Sequence, residues 1–503
     1  MSRPTQSLVL VLTLLLVGLS VAIRVPPASP SAPVATSTAE RFVPVARTTA
    51  ACPDPLADAK SATQVALAAP GAIDDRSPQR QAGTGTATLG PLGRPDPVAA
   101  RLSAVGSLVT PVPAGGGGPL VATAAQALAP GFTASMTTRS TADDLRGLSG
   151  TACVAPGTDF WFVGSGAVVG QRGRVYLTNT EPVPAVVDIT LYGPTGPVEA
   201  PSGRGVTVAA GAQKVLKLDA LAPDVSRFGI HVQVRQGRIA AAVRDQQVSG
   251  LTPRGADWVP VAAAPSRRLV LPGVAAGAGE RRLHIVVPGD TDAIVRVRLM
   301  GPSGAFVPTG LDVVEARAGR VTELDLEPYA QAAPVALQLT SDHPVTGGLL
   351  YRVDGPNGTL SDFAYTAAAP ALTTSAPGVV PLLRGSGAGP NLRSKLLLAA
   401  PGAAVKVLID ILPPATDTTR SVQVPAGSQV TVDAADLSTA ADFAVSVRPA
   451  PGSGPVMASS EISETDPGGA LVTASVVVPS RYAVRVPTVV GDLSTGLRPR
   501  EGQ

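Results

Sequence analysis

Six or seven residues of strict alternation followed by a turn recur along this chain. In VVDITLYGPTG, residues 186–196, Val187, Ile189 and Leu191 alternate with Asp188 and Thr190 before Gly-Pro-x-Gly. IVRVRLMGPSG, residues 294–304, repeats the pattern with Val295, Val297 and Leu299 set against Arg296 and Arg298, and VKVLIDILPP, residues 405–414, is a degenerate third copy. Period-two alternation places the apolar side chains on one face of a strand, and Gly-Pro-x-Gly supplies a turn. Each copy therefore predicts a half-buried β-strand entering a hairpin.

The flanking segments repeat too. Upstream of each copy lies a strand ending in a turn: RVYLTNTEP (174–182), LHIVVPGD (283–290) and KLLLAAPG (395–402), with ATQVALAAPG (62–71) as a fourth. Downstream come KVLKLDALAP (214–223), RVTELDLEP (320–328) and QVTVDAADL (429–437), a series that PLVATAAQALAP (119–130) extends. FGIHVQV (228–234), VALQLTS (335–341) and FAVSVRP (443–449) follow, with FTASMTT (132–138) in the first unit. A period of about 100 residues is too long for a solenoid repeat and suits a whole β-sandwich. The predicted fold is all-β: tandem immunoglobulin-like β-sandwich modules at 41–163, 164–262, 263–368 and 369–492, and a tail at 493–503. LVLPGV (269–274) and GVVPLL (378–383) bridge successive units, which keeps a curled array or a propeller open as alternatives.

Composition sharpens this reading. The chain has 503 residues, 45% hydrophobic and 15% charged, with 53 Gly and 50 Pro, a balance poor in helix formers and rich in turns. Its formal net charge of +3 supplies no concentrated basic field, so a nucleic-acid partner is not expected. Ser7 to Ile23 is an apolar run behind Arg3, long for a signal peptide and just long enough to span a bilayer. Residues 1–24 are read as a signal anchor or transmembrane helix, with secretion after cleavage as the alternative. Residues 25–40, rich in Pro, Ser, Ala and Thr, form a stalk. The bulk of the chain is then extracytoplasmic, with the membrane as one partner.

Cys52 and Cys153 are the only cysteines. In an oxidising compartment they are expected to form a disulfide closing a loop of about 100 residues, worth roughly 4 kcal/mol on the chain-entropy model. The chain carries no nucleophile elbow, HExxH, phosphate loop or dinucleotide fingerprint, so no enzyme chemistry, cofactor or metal is expected. Asp precedes an aromatic at Asp159-Phe160, Asp257-Trp258 and Asp362-Phe363, a spacing that reads as one repeated position near the module ends. There the aspartates are expected to be turn residues and the aromatics core. Trp161 falls on the opposite face of its strand from Phe160 and Phe162. It is expected either to pack near the cystine or to be an exposed aromatic. Basic residues precede the first strand of several modules, at Arg172, Arg174, Arg267, Arg268, Arg281, Arg282, Arg393 and Lys395. The first six of these are candidate contacts for an anionic wall polymer or lipid headgroups, the alternative being charge that protects strand edges, and Trp161 is a candidate contact for a glycan.

With the anchor, the stalk, CVAPGTDFWFVGSG and the strands ending in Gly-Pro-x-Gly in view, the chain resembles an uncharacterised family of membrane-anchored envelope proteins of high-GC Gram-positive bacteria. The resemblance covers most of residues 41–490 and is most specific from Cys153 to Gly164. It implies an association with cell-envelope glycan assembly and brings no catalytic residues. The expected function is a non-catalytic, membrane-anchored scaffold or binding array for wall polymer or envelope proteins. The alternative is a glycan-binding accessory subunit of a cell-wall glycosyltransferase or hydrolase.

Overall fold

The alternating segments are strands with one buried face. Burial alternates residue by residue along 185–191 and 293–299, and each strand turns through its Gly-Pro-x-Gly into a short antiparallel partner. The computed structural model describes residues 41–55, 60–71, 83–94, 98–111, 118–141, 143–385, 391–413 and 419–486. The apolar run 7–23, the stalk 25–40 and the tail 493–503 lie outside the described residues. Among the described residues no helix is long and apolar enough to cross a membrane.

The chain divides into two compact units. The described part of one, built from the two ends of the chain, is a two-stranded sheet of β1 (Arg41–Pro44) and β35 (Ala483–Val486). The other, Pro44–Tyr482, holds four two-sheet sandwiches. The first contains β2 (Arg47–Cys52), β3 (Ser61–Ala69), β4 (Thr84–Pro91), β5 (Ala100–Ala104), β6 (Ser107–Val109), β7 (Leu120–Gln126), β8 (Thr133–Ser140) and β9 (Gly147–Ala152). The second contains β10 (Asp159–Val163), β11 (Arg174–Thr178), β12 (Ala185–Gly193), β13 (Gly196–Val198), β14 (Val206–Val208), β15 (Gln213–Lys217), β16 (Gly229–Gln236), β17 (Ala240–Ser249) and β18 (Thr252–Val259). The third contains β19 (Ser266–Val274), β20 (Arg281–Val286), β21 (Ala293–Gly301), β22 (Gly304–Phe306), β23 (Val314–Ala316), β24 (Val321–Asp325), β25 (Val335–Val353) and β26 (Asp362–Ala367). The fourth contains β27 (Gly378–Leu383), β28 (Arg393–Ala400), β29 (Val405–Leu412), β30 (Thr419–Val424), β31 (Ser428–Asp433), β32 (Asp442–Pro449), β33 (Met457–Asp466) and β34 (Gly469–Val477).

One topology serves all four. The sheets run β2-β7-β4-β5 and β6-β3-β8-β9 in the first, β10-β16-β12-β13 and β15-β11-β17-β18 in the second, and β27-β32-β29-β30 and β31-β28-β33-β34 in the fourth. The third keeps the order, but β25 is long enough to serve both sheets: its first half pairs with β19 and β21 and its second with β20 and β26. Apolar residues facing inward from both sheets form a core in each sandwich, the arrangement that period-two patterning requires.

Two registers differ from the sequence reading. PLVATAAQALAP supplies β7 and FTASMTT supplies β8, one strand later in the order than expected; the place that β15 holds in the second sandwich belongs to β6 in the first. Three residues, SLV, are too few to show an alternation. The strand DFWFV is β10, which pairs with β16 and opens the second sandwich, whereas Trp258 lies on β18 and Phe363 on β26, the closing strands of theirs. Phe160, Trp258 and Phe363 are therefore not one repeated position.

The four closing strands meet. β9 lies against β18 and β34, and β26 lies against the same two, so the sandwiches share a centre. Asp257 and Asp362 pin it, both fully buried. Asp257 Oδ1 accepts from Gly150 N (3.2 Å) and Thr473 Oγ1 (2.8 Å), and its Oδ2 accepts from Tyr365 N (3.3 Å). Asp362 Oδ2 accepts from Leu148 N (2.9 Å) and Val472 N (3.0 Å). Asp257 thus ties β18 to the other three strands, and Asp362 ties β26 to β9 and β34. Asp362 also accepts from its neighbour Phe363 N at 2.9 Å, the local bond expected of a turn residue, but its reach across the centre is the larger role.

Candidate functional site: a polar cleft between the second and third sandwiches

The segment that follows β10, Gly164-Ser165-Gly166, turns into a cleft of about 470 Å³ between the second and third sandwiches. Ser165 takes a left-handed backbone conformation with φ of 66°, a region few non-glycine residues enter. Its glycine neighbours have no room for a side chain. A Cβ on Gly164 would stand 2.6 Å from the Tyr365 ring, and one on Gly166 would stand 2.5 Å from the carbonyl of Ser226.

The turn is held by a buried carboxylate. Asp245, on β17, accepts from Ser165 Oγ (3.1 Å), Gln171 Nε2 (2.9 Å), Gln247 Nε2 (2.9 Å) and Tyr365 Oη (2.7 Å). Tyr365 Oη in turn accepts from Ser165 N at 3.1 Å. Burial, reinforced by the Asp245 carboxylate, pushes the Tyr365 phenol well above its ordinary range, so it stays a donor to Asp245. On the facing wall Arg352 donates to Gln247 Oε1 (2.6 Å) and to the carbonyl of Arg254 (2.5 Å), and meets Glu280 at 3.4 Å. Elsewhere in the cleft, His284 Nε2 lies 3.1 Å from Glu323 Oε2, and Arg227 pairs with the same carboxylate. Burial would raise Glu323, but His284, Arg227 and Arg282 outweigh it and hold its carboxyl below the ordinary range.

The cleft thus presents amides, hydroxyls, guanidinium groups and carboxylates, nearly all tied to one another. At its lip, Val169 and Leu251 are fully exposed, and Val248 N donates to the carbonyl of Gly170 at 2.7 Å, joining the two loops that carry them.

A family model described as a family of unknown function, DUF5719, matches residues 108–435. The chain belongs to that family. The DUF5719 match takes in the whole second and third sandwiches, and so both walls of the cleft. No curated protein matches the sequence. One solved structure, titled "Crystal Structure of Thermotoga maritima 1070", aligns at 19% identity over 21% of this chain and 93% of its own, with a TM-score of 0.19. At that score the likeness carries no argument about the fold of this DUF5719 chain.

Few of the residues expected from sequence meet at the cleft. Arg282 lines it, paired with Asp325 at 3.1 Å. Arg281 is fully buried and donates to the carbonyls of Ala275, Ala276, Ala278, Gly279 and Arg352. It staples the loop before β20 and cannot meet a polymer at the surface. Arg172 pairs with Asp144 at 2.6 Å, Arg174 reaches Gln246 at 3.5 Å, and Arg267 and Arg268 are exposed at the start of β19. Trp161 overturns both of its expected roles. It is buried with Tyr192, Val286 and Val321 between the second and third sandwiches, stacked 3.9 Å from the ring of His231. The tryptophan in the cystine's own cluster is Trp258, and Cys52 and Cys153 are bonded.

Ser165, Asp245, Gln171, Gln247, Glu280, Glu323 and Arg352 were missed from sequence. One signal was available: a serine between two glycines directly after a strand marks a tight, crowded turn. The others converge from strands far apart in the chain.

Proposed function

We propose that this protein is a non-catalytic binding protein of the cell envelope, membrane-anchored through residues 7–23, with its sandwiches outside the cytoplasm, and that the cleft between the second and third holds a neutral wall glycan. In this reading each sandwich is an immunoglobulin-like module. The observation that carries it is Asp245. Its two oxygens already accept four hydrogen bonds, so it positions Ser165 instead of activating it. A wall of amides and hydroxyls with fixed orientation recognises ring hydroxyls by geometry. The Cys52–Cys153 disulfide supports an oxidising compartment.

The exposed pair Val169 and Leu251 favours a second reading, a protein partner seated on the lip. Titration of the full chain in detergent with soluble peptidoglycan fragments and with neutral wall polysaccharide tests the first. Saturable binding is expected, weakened at least tenfold by Ser249→Trp with Arg254→Glu, two exposed positions in the cleft. No binding by the unaltered protein, or equal binding by the variant, overturns the glycan. Loss of a cross-linked envelope protein on Val169→Ser with Leu251→Ser would then favour the lip.

A further inference from the structure

A second cleft, of about 620 Å³, opens between the first and second sandwiches and is lined on one side by the outer face of the sheet β2-β7-β4-β5. That face is read from the strand register. Thr49 stands opposite Thr123, Thr123 opposite Thr88, and Thr88 opposite Arg101. One row thus crosses four strands, with side chains on the face away from the core because Ala50, Ala122, Ala124, Ala87, Leu89 and Leu102 point inward. Thr88 and Thr123 hydrogen-bond to each other through their hydroxyls at 3.0 Å, so the row presents oxygens of fixed position to the cleft.

Among the described residues the charge on this face is mainly positive. Arg47 and Arg94 line the cleft and are exposed, and Arg101 continues the threonine row. The one carboxylate among the described lining residues, Glu181, is already paired with Arg238 at 2.7 Å. Gly93 and Gly211 both adopt left-handed backbone with φ of 71° and 61°, and a Cβ on Gly93 would stand 2.8 Å from the carbonyl of Gly211. The turns that carry them are thus in close backbone contact at the edge of the cleft.

We propose that this cleft binds an extended acidic polysaccharide, its sugar units lying along the Thr49, Thr123, Thr88 row and its carboxylates meeting Arg47, Arg94 and Arg101. A guanidinium presents parallel donors that match a carboxylate. A sugar chain brings ring hydroxyls to the threonine oxygens, whereas a polyphosphate has none to place there. The site is separate from the cleft between the second and third sandwiches, and neither depends on the other.

Affinity electrophoresis of the full chain in mild detergent tests it, with polygalacturonate, dextran or polyphosphate cast into native gels. Polygalacturonate is expected to retard the protein and dextran is not. Arg47→Glu with Arg94→Glu, and separately Thr49→Val with Thr88→Val and Thr123→Val, should each raise the dissociation constant at least tenfold with the melting temperature unchanged. The charge control Arg267→Glu with Arg268→Glu, on a different sandwich, should bind as before. Equal weakening in that control, or retardation by polyphosphate as strong as by polygalacturonate and indifferent to the threonine changes, overturns the proposal in favour of diffuse charge attraction. The Ser249→Trp and Arg254→Glu changes should leave this retardation intact, which separates failure here from failure of the neutral-glycan site.

Discussion

Asp362 illustrates what a single residue costs and contributes at the shared centre. It is fully buried, and burial raises its carboxyl to about 7 despite the backbone N–H groups of Leu148, Val472 and Phe363 and the charge of Arg146. In the unfolded chain the group titrates near 3.8, the ordinary value for an aspartate. The folded state therefore holds the proton over a range where the unfolded state has released it. The resulting stability is fully present below about pH 4 and is lost as pH rises through about 7. Groups held low, such as Glu323, act with the opposite sign, so the test is a difference. Between pH 4 and 7.5 the melting temperature of the unaltered protein should decline relative to that of Asp362→Asn, whose side chain cannot ionise. Parallel curves would show that Asp362 is charged in the folded state throughout. The sequence marked Asp257 and Asp362 only by the aromatics that follow them. Their partners lie on the closing strands of other sandwiches, and no spacing in one strand reports that.

The strands were largely legible and their neighbours less so. Alternation in VVDITLYGPTG and IVRVRLMGPSG revealed β12 and β21 together with their hairpins, because a half-buried strand writes its two faces into every second residue. It also placed Phe160 and Phe162 on one face and Trp161 on the other, as found: the phenylalanines lie in the second sandwich's core and Trp161 outside it. What alternation does not encode is the partner strand. β10 follows the cystine closely in sequence yet pairs with β16, about seventy residues on. Trp161 consequently packs into the seam between two sandwiches, against Val286 and Val321. Replacing it by alanine empties a well-packed site and should cost about 3–5 kcal/mol, as large aromatic truncations do. Amide exchange checks where the loss falls. Faster exchange along β10, β16 and β20, with β29 and β32 of the fourth sandwich unchanged, is expected; uniform acceleration would mean that the seam has no stability of its own.

At the scale of the whole molecule, a period of about 100 residues suggested modules able to bury their own cores, and the sequence could not show how far those cores would merge. Within Pro44–Tyr482 they do. Tyr176, Ala242 and Trp258 of the second sandwich enter the first sandwich's core, Leu350, Phe363 and Tyr365 of the third enter the second's, and Val472 and Ala474 of the fourth enter the third's. Polar ties run the same way. Arg139 of the first sandwich grips Glu464 of the fourth through two bonds, at 2.6 and 2.9 Å, and Tyr351 of the third donates to Glu461 of the fourth at 2.9 Å. Losing the first, third or fourth sandwich would leave Asp257 or Asp362 without some of its donors, and losing any one would expose its neighbours' apolar seams, each a penalty of several kcal/mol. Chains of this length commonly unfold domain by domain. Here the shared centre should impose a single calorimetric endotherm on the disulfide-intact protein, with fluorescence of the buried Trp161 and Trp258 and far-ultraviolet dichroism changing at the same temperature. Separate endotherms, or a tryptophan transition that precedes the loss of strand signal, would mean that the sandwiches fold as independent beads and that the centre joins them without coupling them.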